Sequence, residues 1–243
     1  MAKLKWDEVG ERLYETGVAE GVLFVYDPAT NKYKSGVAWN GLTGMNENPS
    51  GADETELWAN NGKYGSLLAA EKFGATIAAY MSPKEFDECD GSTSFGHGMY
   101  AGQQNRIMFA MAWVTRVAND TEGSDHAEKL HIMYGAKAQP SGRDMKTIND
   151  SPEAMELSWE VTTTPVDFNV SVGSSGNQKT LKGKSSHFYW NTAHMTSGDL
   201  TNYQKLKEVI QGSDTKNSCL PTPEEAFQIM DGKTPSTFAN EAA

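Results

Sequence analysis

The side chains best able to bind a metal or transfer a proton are densest between residues 119 and 131. Carboxylates and imidazoles follow one another there as Asp120, Glu122, Asp125, His126 and His131. The spacing is not that of an EF-hand, because the glycine of this stretch has no late glutamate behind it, nor that of the two-histidine helix of zinc proteases. We interpret residues 119–126 as a polar connection between two strands and expect neither a metal nor a cofactor.

Three other groups of polar residues also lack a catalytic pattern. The glycine-rich residues 91–102 surround His97, but they do not follow a strand and open a helix, as a phosphate-binding loop does. Two serines and a histidine are adjacent at residues 185–187 without the Gly-x-Ser-x-Gly turn of hydrolases. Glu156 and Glu160 would lie about 13 Å apart on one strand, which is too far for a glycosidase pair. We therefore expect that the protein is not an enzyme.

The segment around Trp159 has the clearest strand pattern in the chain. Over residues 155–164 an apolar set alternates with a polar set. The apolar set is Met155, Leu157, Trp159 and Val161, and the polar set is Glu156, Ser158, Glu160 and Thr162. This period of two residues is typical of a half-buried antiparallel strand, with one face on a core and the other hydrophilic.

Other stretches with the same period indicate a mostly β protein. They lie at residues 73–79, 107–117 and 129–137. The second is apolar or small on both faces, so we expect it to be covered on both sides. In the third, the alternation places Ala136 on the face of Leu130. Turn residues at 27–31 and 60–63 predict hairpins.

Helix signals are few. Asp199 is placed to cap a helix that Gly212 would end, and residues 222–225 form a capping box with proline at its first helical position. Residues 82–86 predict one short helical turn. Together, these patterns predict a β-sandwich or barrel with one α-helix near the C-terminus and short helical turns.

Composition and charge restrict the possible functions. The chain has 243 residues and a formal net charge of −11, so its surface repels nucleic acid and a DNA-binding domain is not expected. No apolar run is long enough to cross a membrane, and the N-terminus lacks the apolar stretch of a signal peptide, so we expect folding in a cytoplasm. We expect one domain over residues 1–232 and a flexible tail over residues 233–243. Cys89 and Cys219 are expected to be separate thiols.

The six tryptophans divide into two predicted classes. Trp113 and Trp159 lie on apolar strand faces and are expected in the core. The others fall near a terminus or a loop, where aromatic side chains anchor protein interfaces: Trp6, Trp39, Trp58 and Trp190.

Several separated blocks resemble one protein family in the same order along the chain. They are KLKWDEVGERLYETGV at residues 3–18, GVAWNGLT at 36–43, FGATI at 73–77, NDTEG at 119–123, NDSPEA at 149–154 and SWEVTTTPV at 158–166. These blocks are similar to the major tail tube proteins of long-tailed siphophages, especially those of Gram-positive hosts. The plan of the C-terminal part is also similar, although Asn217, Ser218 and Cys219 replace the expected Asp-Pro-Arg-like turn.

The resemblance implies a structural virion protein of the tail tube, assembled in the host cytoplasm. Its β-sandwich subunits would form hexameric rings that close an inner barrel and stack into a hollow tube. The implied partners are further copies of the chain, the tape measure protein, and the tail-tip and tail-terminator proteins, with DNA only in transit. An acidic chain suits a conduit for DNA, because each phosphate bound by Lys or Arg would add affinity and slow passage.

The resemblance also implies roles for particular residues. In such a tube the inner sheet has a core on one side and the channel on the other, so we expect Glu156, Ser158, Glu160 and Thr162 to line the lumen. The alternative is that this face points outward to solvent. In the family an N-terminal arm (here about residues 1–20) and a long loop (here about 40–62) reach the next ring, which implies ring-ring anchors at Trp6, Tyr14 and Trp58.

A second class of function remains open from the sequence. A ligand- or carbohydrate-binding β-sandwich would have the same strand patterns and the same lack of catalytic groups. Such a module would need exposed coplanar aromatic side chains and would remain monomeric.

Overall fold

The computed structural model describes residues 3–148, 150–151, 153–172, 179–235 and 238. Residues 149 and 152 of the NDSPEA block, and most of the predicted C-terminal tail, lie outside this range. The strands are β1 (Tyr14–Asp27), β2 (Lys32–Tyr33), β3 (Val37–Trp39), β4 (Leu42–Glu47), β5 (Glu54–Ala59), β6 (Gly62–Leu68), β7 (Gly74–Ala79), β8 (Thr93–Ser94), β9 (Tyr100–Ala101), β10 (Phe109–Asn119), β11 (Gly123–Ala138), β12 (Leu157–Thr163), β13 (Val166–Val172), β14 (Lys179–Ser185) and β15 (His187–Asn191). The helices are α1 (Ser197–Gln211) and α2 (Pro223–Met230), with 3₁₀ turns at Lys84–Phe86 and Thr192–His194.

One antiparallel sheet organises the protein. Its strand order is β2-β1-β10-β11-β12-β7-β4, with β3 also paired to β1 and β15 also paired to β11. The remaining strands form three hairpins, β5–β6, β8–β9 and β13–β14. The prediction of a mostly β fold with a C-terminal helix is confirmed.

A bulge at Gly135 bends this sheet into two layers. Gly135 has φ +63°, and a Cβ there would lie 2.4 Å from the carbonyl oxygen of Thr164, so only glycine fits. Beyond the bulge, β12 pairs with only the last three residues of β11, Ala136 to Ala138. The bulge also reverses the alternation. Ala136 therefore lies in the core between the two sheet layers, whereas Leu130 lies in the core beneath the helices. The prediction that both share one face was wrong.

The central layer, β1, β10 and β11, has a core on each side. Between the two sheet layers lie the large aromatic side chains, including Trp113, Trp159 and Phe109. The other side of β10 and β11 is covered by the two helices through Tyr203, Leu206, Ile210, Ala226 and Ile229. Both faces of β10 are buried from residue 109 to residue 114, which confirms the predicted two-sided cover.

The helices follow their predicted capping chemistry with one correction. Thr222 and Glu225 form the expected capping box of α2. In α1 the N-cap is Thr196, and Asp199 instead completes the box as its third helical residue. The hydroxyl of Thr196 accepts from the amide of Asp199 while the Asp199 carboxylate accepts from the amide of Thr196, so two amide donors at this helix end are satisfied.

Several sequence expectations change because packing overrides local pattern. Trp39 is buried and Trp190 is half-buried against the helices, so neither is exposed for an interface. Met155 precedes β12 and is exposed. Phe238 is buried in the helix-side core, so the predicted flexible tail does not begin at residue 233. No disulfide joins Cys89 and Cys219.

The predicted long loop at residues 40–62 is instead largely strand. It contains β4 and β5, and Asn60 and Asn61, with φ +50° and +61°, form the tight turn into β6. Two consecutive positive-φ residues suit the two-residue hairpin turns that asparagine favours. The glycine and asparagine content that suggested a loop serves turns between strands.

Candidate functional site

The outward side of β12, β7 and β4 carries small and polar side chains, and we call it the polar face. Strand register places its residues in rows. One row is Ser158, Ala78 and Gly44, and the next is Glu160, Thr76 and Asn46, with Thr162 beyond them on β12. The opposite side of the same strands is buried in the core through Trp159, Ile77 and Ala75. These strands therefore have one apolar and one hydrophilic face, as the alternation around Trp159 predicts.

The rows of the polar face carry one charged side chain, Glu160. Ser158, Glu160 and Thr162 are exposed, and none of the side chains in its rows is basic. Glu156 lies just before β12, and its carboxylate accepts a hydrogen bond from the hydroxyl of Thr43. Lys137 of β11 is exposed and pairs with Thr162, so a phosphate ester near this face would meet carboxylates, hydroxyls and amides, with one cation at the side of β11.

A projecting hairpin extends from the same strands. We call β5 and β6 with their turn, residues 54–68, the hairpin arm. Its base continues the β4–β7 pair through hydrogen bonds from Asn48 N to Gly74 O (2.8 Å), between Ser50 and Lys72, and from Ala69 N to Asp53 O (3.0 Å). Every residue of the arm is exposed except Gly62 and Gly65, which are half-buried. The arm is thus tied to the body through backbone continuity.

The two faces of the hairpin arm differ in charge. One carries Glu54, Glu56 and Lys63, whose ammonium lies 2.9 Å from each carboxylate, together with Trp58, whose indole donates to Glu56. The register places only uncharged residues on the other face: Thr55, Leu57, Ala59, Gly65 and Leu67. Leu57 and Leu67 are 39% and 58% exposed, so this apolar face is open.

The N-terminal segment is divided by its contacts with the β10–β11 turn. Gly10 donates to Asp120 (2.9 Å), and beyond that point Tyr14 begins β1 and pairs with Ala118. Residues 14–20 therefore belong to the body and not to the predicted arm. Trp6 and Tyr14 are exposed at 74% and 56%, and Trp58 at 66%.

The polar stretch at residues 119–126 is a hairpin turn. The side chain of Asn119 accepts from the amides of Thr121 and Glu122, and the His126 ring lies 2.9 Å from the Glu122 carboxylate. These contacts hold the turn between β10 and β11. Residues 91–102 contain the small hairpin β8–β9.

The fold assembles a histidine–carboxylate cluster that the sequence did not reveal. His131 of β11 and His187 of β15 lie on the same side of the sheet, and Glu47 at the end of β4 reaches them from the other layer. Burial lowers the pKa of both imidazoles to about 4, so both rings are neutral at neutral pH. His131 was noted with its sequence neighbours, but its spatial partners are distant in the chain.

Exposed aromatic side chains are spread over several elements. Besides the three named anchors they include Tyr64, Tyr80, Phe95 and Tyr189. Among the described residues, none of the ring contacts joins two exposed aromatic side chains. A platform of coplanar rings for a sugar is therefore not formed by these residues.

Comparison with known proteins leaves the family undetermined. No protein-family model matches the chain, and no curated protein matches it. Across the described residues, no helix combines the length and apolarity required for a membrane span.

Proposed function

We propose that this protein is the structural subunit of a phage tail tube, forming stacked hexameric rings around a channel for DNA. The observation that carries the proposal is the polar face: a sheet with a buried core behind it and small, polar or acidic side chains in front. Such a face keeps a channel wide, and its rows on β12, β7 and β4 offer no cation to a phosphate, although Lys137 borders them on β11. In a six-fold ring, Glu160 would recur as a ring of carboxylates whose repulsion persists over about 8 Å at physiological salt.

Ring closure is supported by an open sheet edge. Among the described strands β4 is last in the sheet order and its backbone pairs with β7, while Leu42 at its start lies against Gly21 of β1. An unpaired edge strand is a template for pairing with another chain, and closing a ring removes it. The edge belongs to the same sheet as the polar face, so pairing there would join polar faces of successive subunits into one surface.

Stacking of rings is supported by the hairpin arm. Its apolar face is exposed over Leu57 and Leu67, and a two-stranded hairpin by itself is only marginally stable in water. A second copy of the chain would supply the cover. The same proposal keeps Trp6 and Tyr14 as exposed anchors of the N-terminal segment, while Trp58 lies on the charged face of the arm and becomes the weaker of the predicted contacts.

Electron microscopy of the concentrated purified protein, with native mass spectrometry, tests assembly. We expect rings with a central hole, hexameric mass and tubes at higher concentration. A monomer at every concentration, with no polymer when tail-tip proteins are added, would contradict the proposal and would favour the ligand-binding module.

A labelling experiment tests the direction of the polar face. Ser158→Cys places a thiol on it, and Thr201→Cys places a matched thiol on the exposed side of α1, in the opposite layer. With a maleimide carried on a folded protein too large for the channel, both variants should react as monomers. Only Thr201→Cys should react in tubes. Equal labelling of Ser158→Cys in intact tubes would show that the face points outward.

A further inference from the structure

The geometry of the histidine–carboxylate cluster leads to a second inference, independent of tube assembly. We propose that His131, His187 and Glu47 bind one zinc ion between the two sheet layers. The three ligands come from β11, β15 and β4, so the ion would join the central layer to the edge strand of the other layer.

Three atoms define the site. Nδ1 of His131 lies 3.1 Å from Nε2 of His187, and Oε1 of Glu47 lies 3.7 Å and 3.8 Å from these two nitrogens. The point equidistant from the corners of this triangle is about 2.1 Å from each, which is the usual length of zinc bonds to imidazole nitrogen and carboxylate oxygen. The distances therefore suit an ion, but the two ring centroids are 5.3 Å apart, so the nitrogens point nearly at each other and both rings must turn to direct their lone pairs at it.

A hydrogen bond between the two imidazoles is the competing explanation. It accounts for the 3.1 Å separation, because one neutral ring can donate to the other. It does not account for the carboxylate, whose Oε1 is beyond hydrogen-bond distance of both nitrogens. Glu47 is the third group available to a cation, since its Oε1 lies within 4 Å of both nitrogens.

The surroundings hold the rings in place. Trp113 stacks on both imidazoles, at 5.1 Å and 5.7 Å between ring centroids and within 6° of parallel. Phe73 stacks on His187 at 4.4 Å. Side chains held by packing lose little freedom when they become ligands.

The second nitrogen of His131 has the partner that a metal ligand requires. Its Nε2 lies 3.2 Å from the hydroxyl of Thr115 and 3.5 Å from a carboxylate oxygen of Glu15. Lys129 in turn lies 2.5 Å from the other oxygen of Glu15. A carboxylate behind a ligating histidine fixes the tautomer and orients the ring, leaving Nδ1 for the metal.

The chemistry of the donors favours a borderline transition-metal cation, and we take zinc as its representative. Two imidazole nitrogens and one carboxylate oxygen suit a borderline cation such as Zn²⁺ better than Mg²⁺ or Ca²⁺, which prefer oxygen ligands. Three protein ligands leave a fourth position for water. Glu47 is 44% exposed, so solvent reaches the carboxylate corner.

Zinc titration of the full chain, after removal of metals with a chelator, tests the proposal. We expect calorimetry to show roughly one ion per chain and the Tm to rise with zinc concentration, as for a ligand that binds the native state. Co²⁺ should give the visible absorption of a four-coordinate site. Absence of zinc binding by the wild-type chain would overturn the proposal.

Matched variants distinguish this site from adventitious binding. Glu47→Gln keeps the size of an exposed side chain but removes the anionic ligand, and His187→Asn removes a nitrogen; each should weaken binding by at least about tenfold. His126→Asn is the control, because His126 also lies beside a carboxylate, that of Glu122, and it should bind zinc like wild type. If His187→Asn does not fold, the zinc affinity of Glu47→Gln alone tests the site. Full affinity in Glu47→Gln would refute the site.

Discussion

The sandwich body and the hairpin arm are built from the same kinds of residues in opposite environments. Trp159 on β12 is fully buried among Trp39 and Phe86, whereas Trp58 on β5 is 66% exposed. Ion pairs divide in the same way. Lys207 and Glu128 meet with side chains 14% exposed, while Lys63 and Glu56 meet with side chains 43% and 45% exposed.

This difference separates stability from association. Burial of apolar area and desolvated polar contacts stabilise the body against unfolding. The arm buries almost nothing within its own chain, so its side chains can contribute energy only when a partner covers them. Substitutions in the body should therefore change the free energy of unfolding, and substitutions in the arm should change assembly.

The largest expected difference in unfolding free energy is between substitutions of the two tryptophans. Trp159→Ala should lower the free energy of unfolding by about 3–5 kcal/mol, because it leaves a large cavity among other aromatic rings. Trp58→Ala should change the same quantity by less than about 0.5 kcal/mol. Denaturant unfolding of both variants checks this, and similar losses would mean that the arm packs on the body.

The ion pairs of Glu128 in the body and Glu56 in the hairpin arm give a second comparison of the two regions. Glu128 accepts from the hydroxyl of Tyr203 (2.9 Å) and from Lys207 (2.9 and 3.0 Å). Glu128→Gln should cost about 2 kcal/mol of unfolding free energy, since hydrogen bonds to a buried charge are lost. Glu56→Gln should cost well under 1 kcal/mol, because exposed pairs contribute little. An equal loss of unfolding free energy in both variants would contradict the proposed difference between the body and the hairpin arm.

A helix cap provides an intermediate effect within the body. Thr222→Ala removes the hydroxyl that accepts from the amide of Glu225 at the start of α2, and about 1 kcal/mol of unfolding free energy should be lost. Thr222→Ser retains the hydroxyl and serves as the control. Thermal unfolding should rank wild type and Thr222→Ser together, above Thr222→Ala.

The smallest effect on stability should accompany a large effect on assembly. Leu57→Asp combined with Leu67→Asp puts charge on the apolar face of the hairpin arm. We expect an unfolding free energy within about 0.5 kcal/mol of wild type. Electron micrographs should show single, unstacked rings in place of tubes. Leu68→Asp, on the charged face opposite Glu54, is the matched control. Long tubes from the double variant would exclude this face as the stacking contact.

Local pattern anticipated much of the body. The alternation around Trp159 predicted which side of β12 is buried, and the two-sided apolar pattern of β10 predicted a strand between two cores. Both succeed because a strand's side chains must alternate between faces wherever the backbone remains regular. The capping box at Thr222 could likewise be predicted, because all its members lie within one helical turn.

The sequence predictions fail where a bulge interrupts the alternation of a strand or where turn residues lie between short strands. Gly135 interrupts the alternation of β11, so Ala136 turns to the other core. The glycine and asparagine content of residues 40–62 suggested a long loop, but the segment contains β4 and β5; the hairpin turn predicted at residues 60–63 is present.

The sequence by itself determined the buried side of β12, the cover on both sides of β10, the capping box of α2 and the net negative charge, because these depend on residues close together in the chain or on composition alone. Only the tertiary structure decided which distant residues meet. The pairing of β11 with β15 and the bend at Gly135 bring His131, His187 and Glu47 together. The β4–β7 register places Asn46 beside Thr76 on the polar face. Such contacts arise from long-range strand pairing, whose register is set jointly by burial and by turn geometry and is not encoded in any single segment.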